Sequence, residues 1–167
     1  MKIMIDLETL GTKPNSAILS IGAVAFDEKK IHKSFYYNVD LVSSLKHGYE
    51  IDPDTVYWWL KQDKAAGEVL DKDKLSIVSA VRFLSDFILD IEPSEVWANS
   101  PSFDLVMLKN AWDKHEIKHP YPFYIERDFR TFLSFTGAKR VYPIIAHNAL
   151  DDAKAQAQTL INYWNKA

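Results

Sequence analysis

The chain has 167 residues, a length suited to one domain, and its 47% hydrophobic and 13% aromatic content excludes a disordered protein. It has no cysteine, which excludes disulfides, thiolate zinc sites and cysteine nucleophiles and fits a reducing compartment. A formal net charge of -3 argues against a protein that grips long duplex through its phosphates, so any nucleic-acid contact is expected to be short and local. No apolar run approaches the ~20 residues of a membrane span. The chain opens directly on an acidic strand, with no signal-peptide pattern. The expectation is one soluble, cytoplasmic domain over residues 1–167.

Residues 2–8 read as a strand, followed by a turn over residues 10–14 that holds Gly11 and Pro14. The apolar stretch 17–26 (AILSIGAVAF) reads as a buried strand, within which Gly22 marks a bulge or a close approach. A charged hairpin turn at 27–30 leads to an alternating strand over 32–39. Beyond it the period changes. Asp54 or Thr55 is expected to cap a helix running to about Asp63. Leu75, Val78, Val81, Phe83, Leu84, Phe87 and Ile88 recur at helical spacing. Residues 95–98 (EVWA) form a short strand, and Ser102 is expected to cap a helix through about His115. A proline-rich segment leads to another short strand and a short helix over RDFRTFLSF. The last helix spans 149–164, with Leu150, Ala153, Ala157, Leu160, Ile161 and Trp164 as its apolar stripe. Three antiparallel strands followed by alternating helices and strands predict a mixed α/β sheet with helices packed on it.

Acidic residues fall at strand and helix ends. On the first strand Met4, Asp6 and Glu8 share one face, and Ile3, Ile5 and Leu7 the other. Two carboxylates side by side in a strand this apolar are costly unless a cation compensates them. Hard divalent ions take such oxygen ligands. Asp104 lies early in the helix after EVWA, where it either joins this site or complements the helix dipole. His147 and Asp152 flank the start of the last helix. With Asn148 as N-cap, Asp151 falls at the third helical position and can complete a capping-box-like contact, and either Asp151 or Asp152 could face the site.

Asp-x-Glu in KIMIDLETLGT, the mid-chain Asp of NSPSFD and His-x4-Asp in HNALDD together resemble the DEDD exonucleases of the ribonuclease H-like superfamily, in their histidine branch. The resemblance covers nearly the whole chain. The WW of TVYWWLKQ and the RDFRT segment are more similar to the phage and bacterial exoribonuclease-like subgroup than to polymerase proofreading domains. It implies a ribonuclease H-like fold, and Asp6, Glu8, Asp104 and Asp152 as ligands of two Mg²⁺ or Mn²⁺ ions. It implies His147 as general base, a role a histidine can fill near neutral pH. The reaction it implies is 3′–5′ removal of nucleotides from single-stranded RNA or DNA ends, with 5′-monophosphate products. The subgroup leans toward RNA. Homodimers are common in the superfamily.

Substrate contacts follow by analogy. Thr9 and Leu10 fall near the terminal sugar and base, although Leu10 could equally pack in the core. Phe103 either offers a ring for stacking or packs in the core, and Asn99 and Ser100 are expected to line the same edge. Trp58 and Trp59 point about 100° apart on a helix. One is therefore expected in the core and one toward the site; Trp59 is the candidate carried forward. Arg127 and Arg130 either clamp phosphate or form surface ion pairs around Asp128, and Arg130 is the candidate. The rival reading is a catalytically silent nucleic-acid-binding module on the same fold, whose mark would be a missing ligand. A dinucleotide-dependent enzyme is disfavoured, because the five glycines form no phosphate-binding loop.

Overall fold

The computed structural model describes residues 1–62 and 74–166. Its centre is a hairpin-connected ribbon of three antiparallel strands: β1 (Lys2–Thr9), β2 (Ile18–Phe26) and β3 (Ile31–Val39). Helix α1 (Leu41–Lys46) and helix α2 (Pro53–Trp59) follow, then β4 (Lys74–Leu75) and α3 (Ile77–Ile91). The rest alternates: β5 (Glu95–Ala98), α4 (Asp104–Lys114), a 3-10 turn (Phe123–Ile125), β6 (Glu126–Asp128), α5 (Phe129–Thr136) and α6 (Ala149–Trp164). The six strands lie in the order β4-β3-β2-β1-β5-β6, with β5 and β6 parallel to β1. This is the mixed sheet that the hairpins followed by alternating helices require.

Alternation along β1 divides the core in two. Ile3, Ile5 and Leu7 point to a cluster that includes Val81 and Leu84 of α3 and Leu105, Leu108 and Trp112 of α4. Met4 points to the opposite cluster, with Val24, Phe26, Trp97, Phe129 and Ala153, Ala157, Leu160 and Ile161 of α6. The sheet is therefore covered on both faces, which is why β2 is buried along its whole length.

Four details differ from the sequence reading. The N-cap of α2 is Asp52, whose Oδ1 accepts from the Asp54 amide at 2.8 Å. Pro53 takes the first helical position because that position needs no N–H, and this moves the cap upstream of Asp54 and Thr55. The helix ends at Trp59, and Asp63 lies outside the described residues. Leu75 belongs to β4, paired with Val39, and α3 begins after the Ser76 cap. At α4 the N-cap is Phe103, with no side-chain cap, and the Ser102 hydroxyl lies 2.9 Å from that of Ser100. The short α1 and the two-residue β4 were not anticipated, since neither is long enough to display a period.

Gly22 is a close approach rather than a bulge. It stands opposite Asp6 in the β1–β2 ladder, and the β1–β2 register shift lies instead between Glu8 and Thr9. A Cβ built on Gly22 would lie 2.2 Å from the Ala149 carbonyl carbon and 2.4 Å from the Leu150 amide nitrogen. The first turn of α6 is thus laid directly on the sheet beside Asp6. Gly22→Ala is expected to lower the free energy of unfolding by about 1–3 kcal/mol, because the obstacle is backbone and cannot rotate away. The measurement is the urea unfolding midpoint; an unchanged midpoint would mean that α6 is not seated there.

Candidate active site

The carboxyl ends of the parallel strands β1, β5 and β6 lie side by side, the position where open α/β sheets form ligand clefts. Asp6 and Glu8 come from β1. Asn99, Ser100 and Phe103 come from the segment that leaves β5, and Asp104 opens α4. Arg130 lies in the first turn of α5. His147, Asp152 and Gln156 arrive from the other face with α6. These side chains line one cleft of about 350 Å³.

Asp6, Glu8 and Asp152 each present a carboxylate oxygen within 4.8 Å of the others. Asp104 stands outside that triad. It is only 3% exposed, and its Oδ1 accepts from the Leu7 amide at 3.2 Å. Asp151 is turned away, 3.9 Å from Lys154 Nζ. Asn148 is the N-cap of α6, accepting from the Leu150 and Asp151 amides at 3.1 Å each. The expected reciprocal contact from the Asp151 carboxylate is replaced by that ion pair.

His147 precedes the cap in the left-handed region, with φ of 64°. Such a conformation costs a histidine about 1–2 kcal/mol. Its backbone amide donates to Asp152 Oδ2 at 3.2 Å. Its ring is edge-on to Trp58 at 4.8 Å and to Trp59 at 6.0 Å. The two indoles are perpendicular to one another and 5.2 Å apart. The imidazole therefore fits the angle between rings that diverge along the helix. The expectation of one tryptophan inside and one facing the site becomes a graded arrangement. Trp59 is half-buried against the core and donates Nε1 to the Thr9 carbonyl at 2.9 Å, whereas Trp58 is 43% exposed.

Both tryptophans line a second cleft of about 540 Å³, together with Thr9, Thr12, Thr55 and Phe103; it shares Leu7, Glu8 and Phe103 with the first. Leu10 lines neither cleft. It follows the register shift in β1, bonds its amide to the Ala17 carbonyl at 2.8 Å and is buried in the core, the second of the two places expected for it. Arg127 is occupied locally, donating to the Tyr124 and Glu126 carbonyls and lying 3.8 Å from Glu95, so Arg130 alone of the pair reaches the cleft.

Gln156 was not identified from the sequence. It is buried, and its Nε2 donates to Asp6 Oδ1 at 2.8 Å. The available signal was a lone amide one turn after Asp152, inside an otherwise alanine- and leucine-rich stripe.

Burial dominates the electrostatics. It raises the Asp6 carboxyl well above its ordinary range, with Asp104, Glu8 and Asp152 adding repulsion and Gln156 opposing. Burial, with repulsion from Asp152 and Asp104, lifts Glu8 from 4.5 to about 8. Asp104 rises from 3.8 to about 7, again through burial, with the Leu7 and Ser100 contacts opposing. Burial also raises Asp152, against His147. Among the described residues no lysine or arginine forms an ion pair with Asp6, Glu8 or Asp152. Two buried acceptors in the cleft wall, Asn99 Oδ1 and Gln156 Oε1, have no hydrogen-bond donor. An all-oxygen donor set with spare acceptors for hydrating water fits a hard divalent cation.

The pH consequence follows from linkage. These carboxyls hold protons in the folded state that they release in the unfolded state, so the metal-free protein loses stability as pH rises from about 4 to about 8. Thermal unfolding in EDTA should show a melting temperature that falls across this window. Mg²⁺ should raise it most at the alkaline end, and Asp6→Asn should flatten the slope. A melting temperature rising from pH 5 to 8 in EDTA would contradict the assignment.

A family profile described as the 3′-5′ exoribonuclease Rv2179c-like domain matches residues 1–164. An exodeoxyribonuclease of Enterobacteria phage T4 is 24% identical, over 77% of this chain and 68% of that protein. Among solved structures, the nuclease domain of 3′hExo, a DEDDh family member bound to rAMP, superposes with a TM-score of 0.62 at 14% identity, covering 99% of this chain and 92% of that one. Exonuclease X in complex with 5′ overhanging duplex DNA gives 0.55 at 18% identity, covering 100% and 93%. The fold is the ribonuclease H-like fold of the DEDDh nucleases. The match over residues 1–164, joined to a buried acidic cleft with a histidine at its rim, places the chain in the 3′-5′ exoribonuclease Rv2179c-like family, as a 3′–5′ exonuclease.

Proposed function

We propose that residues 1–167 form one exonuclease domain that removes nucleotides singly from the 3′ end of single-stranded nucleic acid, RNA before DNA, releasing 5′-monophosphates. The observation that carries the reading is the convergence of Asp6, Glu8 and Asp152 oxygens within 4.8 Å in a buried cleft walled by His147. Asp6, Glu8, Asp104 and Asp152 would hold two Mg²⁺ or Mn²⁺ ions. Bound there, such a pair supplies Lewis-acid stabilisation of charge on the attacking and departing oxygens of an in-line displacement.

The chain's own residues do the rest. In this reading His147 accepts the proton of the attacking water at an imidazole nitrogen and passes it to solvent. The two indoles fix its ring, which removes the orientational entropy that a free loop histidine would lose at each turnover. Gln156 holds Asp6 in one rotamer through its amide hydrogen bond. Arg130 meets the phosphate from the α5 side, and Asn99 and Ser100 supply polar contacts beside it. The second cleft, with Thr9, Trp58, Trp59 and Phe103, receives the terminal sugar and base, where aromatic faces stack with any base. The family description supports RNA as substrate, and the phage relative supports activity on DNA. The complete acidic set favours turnover over a silent binding module.

Asp6→Asn and Asp152→Asn should abolish hydrolysis while leaving the far-ultraviolet circular dichroism unchanged. His147→Ala should lower kcat by about 10²–10⁴-fold. The assay is a time course on matched 5′-labelled single-stranded RNA and DNA with Mg²⁺ or EDTA. A ladder shrinking from the 3′ end only with metal is expected, faster on RNA; a ladder that persists in EDTA or in Asp6→Asn would overturn the mechanism.

A further inference from the structure

Helix α6 carries a second functional face beyond its acidic end. Asp152, Gln156, Thr159 and Tyr163 follow one another at spacings of four, three and four, so they lie along one side of the helix. The first two line the acidic cleft. Thr159 and Tyr163, with Asn162 and Lys166, form one wall of a separate cleft of about 240 Å³, whose opposite wall is Lys139, Arg140 and Val141. At 1.5 Å per residue, the cleft begins roughly 10 Å from Asp152 and extends to roughly 20 Å.

The cleft is held open by a defined contact. The Val141 amide donates to Thr159 Oγ1 at 2.9 Å, and Thr159 Oγ1 donates back to the Ala155 carbonyl at 2.8 Å. The segment after α5 is thereby fixed along α6. Arg140, in the wall of this cleft, lies over the Phe129 ring at 5.8 Å, and its charge also acts on Asp152. Lys139, Arg140 and Lys166 form no ion pair among the described residues. Lys166 alone could be explained by the negative end of the helix dipole. That explanation does not extend to Lys139 and Arg140, which come from another segment. Two aromatic residues accompany the cations: Tyr163 in the cleft wall, and Tyr142, 78% exposed, beside Val141. Tyr163 is half-buried and packs edge-on against Phe132 at 5.1 Å, so Tyr142 is the open ring, and cations beside an exposed ring suit a single nucleic-acid strand, whose phosphates and bases both find partners.

We propose that this cleft binds the phosphodiester backbone of the substrate strand several nucleotides to the 5′ side of the end being cut. The proposal rests on the exonuclease reading and adds a length requirement to it. At a phosphate spacing of about 3.4 Å or more along one strand, a site 10–20 Å from Asp152 is beyond a dinucleotide and within reach of a strand of roughly ten nucleotides.

The test is the double variant Lys139→Glu/Lys166→Glu, which touches neither the acidic cleft nor the tryptophans. On a strand of roughly ten nucleotides the KM should rise about tenfold with kcat unchanged, and the slope of log KM against log salt should fall by about 1–2. On a dinucleotide, kcat and KM should equal those of the unmodified protein. Lys139→Arg/Lys166→Arg should restore long-strand KM. An equal loss on both lengths, or no loss on either, overturns the proposal. Fluorescence anisotropy of the labelled long strand in EDTA reads the cleft without hydrolysis. Weaker binding by the Glu variant supports the proposal, and equal binding overturns it. Failure of the unmodified protein to hydrolyse either length would count separately, against the exonuclease reading.

Discussion

The site depends on the contact between Gly22 and the backbone of Ala149. The sheet can present Asp6 and Glu8 by itself, but it cannot supply the third carboxylate. That group comes from the far end of the sequence and must approach a strand whose neighbours are all occupied. Only a residue without Cβ allows a helix end to approach the strand so closely. Because Gly22 is paired with Asp6, the position where α6 touches the sheet is also the position beside the first ligand candidate. Asp152 then falls within one turn of the contact, Gln156 falls one turn further on and Asp6 accepts from it, and His147 is left at the rim ahead of the cap.

The same contact imposes an energetic conflict. Three carboxylate oxygens within 4.8 Å, two of them on buried residues and the third on the half-buried Asp152, repel one another and lose hydration. The left-handed backbone at His147 adds strain at the same place. None of this favours folding. What offsets it is the large apolar burial on both faces of the sheet, which fixes the acidic groups where they would not settle alone. The cleft is thus a region of unfavourable electrostatic free energy, which a divalent cation would relieve. Binding of that cation and stability of the fold are coupled through the same oxygens.

Much of this was legible in the sequence because it depends on short-range periodicity. Alternation along residues 2–8 separated Asp6 and Glu8 from Ile3, Ile5 and Leu7, and the two core clusters divide along that line. The choice of Asp152 over Asp151 came from the His-x4-Asp spacing of the family that the chain resembles, not from periodicity. Features set by tertiary contacts were not legible. Leu10 had two places open to it in the sequence, and only its tertiary contacts put it in the core. Asp52 displaces Asp54 as a cap because Pro53 accepts the first helical position. Trp58 and Trp59 diverge on their helix, as the 100° rule requires, yet both border one cleft because the imidazole of His147 occupies the angle between them. Gln156 gave only a weak signal, a single amide in an apolar stripe, and its role depends on a partner 150 positions away.

The net charge of -3 now has a physical explanation. A nuclease that bound through a broad basic surface would hold strand interiors as firmly as strand ends. In the two clefts, positive charge comes from Arg130 in the acidic one and from Lys139, Arg140 and Lys166 in the other. The cleft at the start of α6 is acidic and suits cations, and within roughly 20 Å the cleft beside its far end, lined by Lys139 and Arg140 of the preceding segment and by Lys166 beyond the helix, suits phosphates. In this arrangement the acidic groups would repel a strand that arrives without metal, and the basic cleft would attract only strands long enough to span both. A released mononucleotide could reach only the first of the two, so product is expected to leave while the shortened strand stays engaged.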